Sequence, residues 1–170
     1  MRKFLQEKAT AAILCRGAHA DLFPIDIGMA RDTKVPRYKV AYGTKNMAKG
    51  PAMTREEAVR ALETGIAVAE EKIAAGYQLM ATGEMGIGNT TTSSAMAAVF
   101  LNQPVPELTG RGAGLSSEGL ARKIAAIEKA IAINQPDPSD PSMCWQRSAV
   151  LTLPAWRVSF LQGPHMAFRL

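Results

Sequence analysis

Apolar residues recur every three to four positions over two long stretches of this 170-residue chain. Ala58, Leu62, Ile66, Ala69 and Ile73 form one series, and Leu120, Ile124, Ile127 and Ile131 form the other. That period puts each series on one face of a helix. The first helix opens at Thr54-Arg55-Glu56-Glu57, a capping box, and stops at Gly76. The second is predicted over Glu118–Ile133, with Ser116 and Ser117 as cap candidates and the prolines of 136–141 ending it. A third helical pattern covers residues 2–15, with Gly17 placed as its C-terminal cap. Short apolar runs lie between these helices. Asp21–Gly28 and Tyr77–Ala81 are predicted as strands, as are the neighbourhood of Leu108 and the brief Lys39–Tyr42. Alternating strands and helices predict an α/β fold with a doubly wound, mostly parallel sheet, its strands near Leu22, Leu79 and Leu108.

The most informative stretch is Gly76–Phe100. An apolar run breaks into a turn holding Gly83, Gly86 and Gly88, and Thr90–Ser94 then lead into a helical pattern over Ala95–Leu101. Glycines let the backbone approach a ligand closely, and the first N–H groups of a helix lack internal partners and favour an anion. The loop is therefore either a tight strand-to-helix connection or a seat for a phosphate or carboxylate. Asn89 and the threonines can cap the helix or add donors, and Glu84 is the one acid in the loop. No Gly-Lys-Ser/Thr follows, so this is not a P-loop, and the dinucleotide fingerprint is also absent. A second glycine turn, Gly110-Arg111-Gly112-Ala113-Gly114, precedes the helix carrying Arg122 and Lys123. Those cations read as solvent-facing charge or as ligand contacts. Asp26, near the carboxyl end of a predicted strand, reads as a site residue or as a turn cap.

Composition narrows the classes. A hydrophobic content of 47% and a charged content of 21% fit a globular soluble protein, predicted to be cytoplasmic, and no run is long enough to cross a membrane. Cys15 and Cys144 fit neither a metal spacing nor a disulfide framework. The pI near 9.4 raises nucleic-acid binding. However, three of the 20 basic residues lie in 142–170, where there is no acid, so residues 1–141 hold 17 basic against 15 acidic residues. The basic excess is largely a feature of the tail.

Gly83-Glu84-Met85-Gly86-Ile87-Gly88-Asn89-Thr90-Thr91, Gly110-Arg111-Gly112-Ala113-Gly114-Leu115, Lys123 and Ala130-Ile131-Ala132-Ile133-Asn134-Gln135-Pro136 together resemble the nicotinate-nucleotide:dimethylbenzimidazole phosphoribosyltransferases of cobalamin biosynthesis. Ile25-Asp26-Ile27-Gly28 and Gly50-Pro51-Ala52-Met53 are also similar to that family, in the same order. The resemblance covers about residues 1–141. It implies transfer of phosphoribose from nicotinate mononucleotide to 5,6-dimethylbenzimidazole, giving α-ribazole 5′-phosphate and nicotinate. It implies no cofactor, metal, nucleic-acid or membrane partner, and a homodimer as in the family. Gly86, Gly88, Asn89, Thr90, Gly112, Gly114 and Lys123 would bind substrate, and Glu84 would orient it or stabilise the ribosyl cation. The family's general base falls outside this sequence, which resembles a middle portion of the family pattern. Two other readings are a nucleotide- or phosphate-binding module without catalysis and a truncated product without a stable fold.

Residues 142–170 depart from the family. They hold both tryptophans and no defensible helical or alternating period, and are expected to be irregular. One set of codons for Ser142 onward, read with a single A restored in front, gives Ile-Asp-Val-Leu-Ala-Lys-Val-Gly-Gly-Phe-Asp-Ile-Ala-Gly-Leu-Ala, which resembles the family's continuation. A one-base deletion near Pro141 is therefore expected, with 1–141 as the family domain and 142–170 as a non-family tail.

Overall fold

The computed structural model describes residues 9–35, 38–83, 89–112 and 114–148. The described elements are six helices: α1 (Thr10–Gly17), α2 (Arg55–Ala74), α3 (Thr90–Leu101), α4 (Val105–Leu108), α5 (Ser117–Asn134) and α6 (Pro141–Ser148). The chain divides into two compact units, Met1–Gly43 and Thr44–Leu170.

In the first unit, α1 ends at Gly17, but the left-handed residue that turns the chain is His19, at φ 53°. The glycine predicted as the cap is thus the last helical residue. Beyond it, 21–25 run without regular structure to a single bridge at Asp26. The N–H groups of Tyr38 and Val40 donate to the carbonyls of Asp26 and Ile27 at 3.0 and 2.9 Å. These contacts do not propagate into a ladder.

The fully buried Asp26 carboxylate ties this loop together. It accepts from Met29 N–H at 2.9 Å and Thr33 Oγ1 at 2.8 Å, and pairs with Lys39 Nζ at 3.0 Å. Lys39 also donates to the carbonyls of Met29 and Arg31 and lies 4.4 Å from the Tyr42 ring centre. Asp26 is therefore a turn cap and an ion-pair partner, with its oxygens engaged inside the loop.

In the second unit, the Thr54 capping box forms as predicted, with Glu57 N–H on Thr54 Oγ1 at 3.1 Å and Thr54 N–H on Glu57 Oε2 at 2.8 Å. The face of α2 that is buried is Ala58, Ala61, Gly65 and Ala69. Leu62, Ile66 and Ile73 are only partly covered. Small residues carry the close contact because they let neighbouring backbone approach. The core of the unit is Met47, Ala52, Ala95, Ala98, Val105, Ile127 and Ala130, with Leu108, Ile124 and Ile131 packed against it. Helix α3 lies at its centre, touching α4, α5 and α6.

The predicted parallel sheet is not formed: among the described residues there is no β-strand. Leu108 ends a four-residue helix instead, opened by Pro104 and Val105-Pro106. Residues 78–83 have no regular structure, and Leu79 is 78% exposed. A strand exists only by pairing with a neighbour, and these short apolar runs find no ladder partner. The start of the tail also differs from expectation. Residues 141–148 form a helix whose first turn is capped by Asp140 Oδ1, which accepts from the N–H groups of Ser142 at 3.0 Å and Met143 at 3.2 Å. Proline at the first helical position after an aspartate is a readable start signal.

Burial alone would push the Asp26 carboxyl up, but hydrogen bonds from Met29, Thr33 and Lys39, with the lysine charge, outweigh it and hold it below its ordinary value of 3.8. A carboxylate with a lowered folded value adds stability that is present above its unfolded value, about 4. That stability is lost as pH falls through the folded value. Replacing Asp26→Ala removes the carboxylate partner of Lys39, whose ammonium keeps the Met29 and Arg31 carbonyls, and a loss of about 1–3 kcal/mol is expected near neutral pH. Chemical denaturation of both proteins between pH 2 and pH 7 checks this, and the difference should shrink in acid.

Candidate functional site

The two glycine turns and α5 converge on Lys123. Sequence periodicity left this residue open as a surface cation, but the buried stripe of α5 is Gly119, Lys123, Ile127, Ala130 and Asn134. Lys123 is 8% exposed, so its charge must be met locally. Its ammonium donates to Thr90 Oγ1 at 3.1 Å and to the Gly110 carbonyl at 2.9 Å. A lysine has three donors, and these two bonds leave one to offer to a ligand.

Thr90 is the first residue of α3, so Lys123 stands beside that helix's N-terminus. The first helical backbone bond runs from Ser93 N–H to the Asn89 carbonyl. The N–H groups of Thr90, Thr91 and Thr92 therefore have no partner within the helix. The Asn89 carbonyl also accepts from Thr92 Oγ1 and Ser93 Oγ at 2.8 and 3.0 Å. Asn89 was expected to cap with its side chain, but it makes no side-chain cap bond and serves through its backbone. Positive charge, helix-end amides and a hydroxyl in one corner are the donor set that an oxyanion would require.

The second glycine turn closes the corner. Gly112 has φ 57°, and a Cβ there would lie 3.0 Å from Thr90 Oγ1 and 3.7 Å from Lys123 Nζ. Glycine is required at this position for both conformation and space. Gly114, at φ 97°, also needs the left-handed region but faces open space. Arg111, not singled out as a site residue from sequence, braces the turn. Its guanidinium donates to the Leu115 carbonyl at 2.8 Å and to Ser117 Oγ at 3.1 Å. A cation between two glycines was the available signal. Of the predicted site residues, Thr90, Gly112 and Lys123 are brought together, Asn89 directly precedes them in the chain, and Gly114 belongs to the same turn. Glu84, Gly86 and Gly88 lie outside the described residues. Among the described residues no group of three or more His, Cys, Asp or Glu could hold a metal.

An open hollow of about 590 Å³ lies elsewhere in this unit, lined by Lys45, Lys49, Arg55, Glu56 and Gln146 among others, and includes none of the predicted site residues. No helix among the described residues is long and apolar enough to cross a membrane.

A family model described as phosphoribosyltransferase matches residues 1–152. The chain belongs to this phosphoribosyltransferase family. It is 57% identical over 123 residues to the nicotinate-nucleotide–dimethylbenzimidazole phosphoribosyltransferase of Alkaliphilus metalliredigens (strain QYMF), a match covering 70% of this chain and 35% of that protein. With the protein of the same name from Geobacter sulfurreducens (strain ATCC 51573 / DSM 12127 / PCA) it shares 51% identity over 142 residues, covering 81% and 40%. The crystal structure of CobT from Thermus thermophilus superposes with a TM-score of 0.86 at 38% identity, covering 95% of this chain and 49% of that one. The chain therefore spans less than half the length of each of these relatives. The motif-based family resemblance agrees with these matches. The family match also runs eleven residues past the boundary placed at 141.

Of the two left-handed glycines in the second turn, Gly112 should be the less tolerant of a side chain. Gly112→Ala forces both a left-handed alanine and a contact on Thr90 Oγ1, and is expected to cost about 1–3 kcal/mol. Gly114→Ala meets no neighbour and should cost less. Urea denaturation midpoints of the two variants decide the order, and equal midpoints would contradict the close packing of the corner.

Proposed function

We propose that this chain supplies the phosphate seat of an enzyme that transfers phosphoribose from nicotinate mononucleotide to 5,6-dimethylbenzimidazole. The observation that carries this is the buried Lys123 ammonium, held by Thr90 and Gly110 beside the open amides of α3. The family match and the names of the relatives support the same substrates.

In this reading the 5′-phosphate sits on the N–H groups at the start of α3, with Lys123 and the Thr90 hydroxyl against its oxygens. Gly112 and Gly114 let the second turn come close, Asn89 stands at the start of α3, and Gly86 and Gly88 are assigned substrate contacts by the family resemblance alone. Fixing the phosphate fixes the ribose carbon C1 relative to the incoming base. A benzimidazole nitrogen attacks C1, the C1–N bond to nicotinate breaks, and the bonding pair leaves with nicotinate. Positive charge develops on the ribosyl group as that bond lengthens, and a nearby carboxylate stabilises it. Glu84 is assigned this electrostatic and orienting role. The benzimidazole N–H proton passes to a general base. A cytoplasmic setting and a homodimer belong to the same proposal, the former in keeping with the free thiols of Cys15 and Cys144.

Titration calorimetry with nicotinate mononucleotide, and separately with inorganic phosphate, tests the seat. Removing a charged donor from a ligand typically costs about 1.5–3 kcal/mol, so Lys123→Ala should weaken both ligands by roughly tenfold to a hundredfold. Equal binding by the wild type and the variant would remove Lys123 from the phosphate site. Chromatography of the nicotinate released on adding dimethylbenzimidazole separates binding from turnover.

A further inference from the structure

Helix α6 buries two polar side-chain atoms that find no partner among the described residues. It is buried at Cys144 and Ser148, each 1% exposed, four residues apart on one face. That spacing calls for apolar residues. Instead, Ser148 Oγ and Arg147 Nε are buried without a hydrogen-bond partner among the described residues. Buried polar atoms are nearly always paired, and an unpaired one is costly. The contacts that do hold α6 need little from its side chains. Asp140, ahead of the helix, caps it, and the Gln146 carbonyl accepts from Met53 N–H at 3.0 Å. Cys144 Sγ reaches the Asp137 carbonyl and the Arg147 guanidinium reaches the Asn134 carbonyl. The backbone fits the unit, while Arg147 Nε and Ser148 Oγ find no partner in it.

We propose that the coding frame of this protein is displaced by one base at or just before codon 142, and that α6 is the place of a helix written in the other frame. The genetic code allows a check without knowing the DNA. Methionine and tryptophan have single codons, ATG and TGG. One base earlier, the last G of the Met143 codon joins the TG of Cys144 to make GTG, which is valine. The last base of Cys144, C or T, joins the TG of Trp145 to make a leucine codon. The final G of Trp145 joins the CA of Gln146 to make an alanine codon. None of these three outcomes depends on codon choice. With the fourfold TCN serine codons, positions 142 and 148 each become phenylalanine, leucine, isoleucine or valine.

With TCN serine codons, the displaced frame therefore writes apolar residues at 142, 144, 145, 146 and 148. Positions 144, 145 and 148 are one helical stripe, and it contains both of the buried positions of α6. The unpaired Ser148 hydroxyl disappears where the frame is restored. Up to Pro141 the written residues obey the fold: Asp140 caps α6, Asn134 Nδ2 donates to the Met47 carbonyl at 2.7 Å, and Ile127 and Ala130 fill the core. The partnerless Arg147 Nε and Ser148 Oγ both lie past residue 142, as does the stretch without acids.

Sequencing the coding DNA across codons 135–170 and downstream decides the proposal. Expected are TCN codons at 142 and 148, and a displaced frame that stays open for about 100 codons, the scale of a domain. A stop codon in that frame within this length, or an AGC or AGT codon at 148, overturns it. The protein gives an independent reading. Ser148→Val in the full chain should raise Tm by about 2–4 °C, since it removes an unpaired hydroxyl and adds apolar contact. An unchanged or lower Tm shows that the serine suits its site and overturns the structural half of the inference.

Discussion

A lysine ammonium inside a folded unit needs acceptors, and Lys123 takes its two from segments far apart in the chain. Its bond to Thr90 Oγ1 ties α5 to the first residue of α3, and its bond to the Gly110 carbonyl ties both to the second glycine turn. The rest of the corner follows from that tie. Gly112 must lack a side chain because Thr90 Oγ1 occupies the space, and Arg111 must bend back onto Leu115 and Ser117 to hold the turn beside it. The two bonds leave Lys123 a third donor beside the first amides of α3, which have no partner within the helix, and that combination suits an anionic ligand rather than a neutral one.

The two compact units solve their internal packing differently. The first relies on a buried carboxylate, with Asp26 collecting Met29, Thr33 and Lys39 into one polar cluster. The second relies on small apolar residues. Ala95, Ala98 and Ala130 bring α3 and α5 close enough for Lys123 to reach Thr90. Close packing of alanines and the Lys123–Thr90 contact are thus one arrangement. A bulky residue at any of these alanines would have to separate the helices that the Lys123–Thr90 bond joins.

Local signals were legible wherever a single segment settled its own structure. The Thr54 capping box, the start of α5 at Ser116, and the helix over 55–74 were all readable because the interacting groups are neighbours in the chain. The family was legible from the glycine motifs taken together and agrees with the family match. The sheet was not formed, because short apolar runs at 21–28, 77–81 and 108 specify extended backbone only if a partner strand is present. The run at Leu108 took helical form behind Pro104 and Pro106. Helix α6 carries no apolar period in its side chains, and only Asp140-Pro141 marks its start.

By itself the sequence determined which residues could serve an anion: glycines that permit close approach, a threonine-rich helix start and a lysine one helix away. These are properties of residue type and spacing. Only the tertiary structure decided that Lys123 is buried and shared between Thr90 and Gly110, that Asp26 is consumed inside its own loop, and that Arg111 braces a turn. Each of those outcomes depends on which groups stand opposite one another after packing. A period of 3.6 residues tells which side chains share a helix face, but not which face the neighbouring helices will cover.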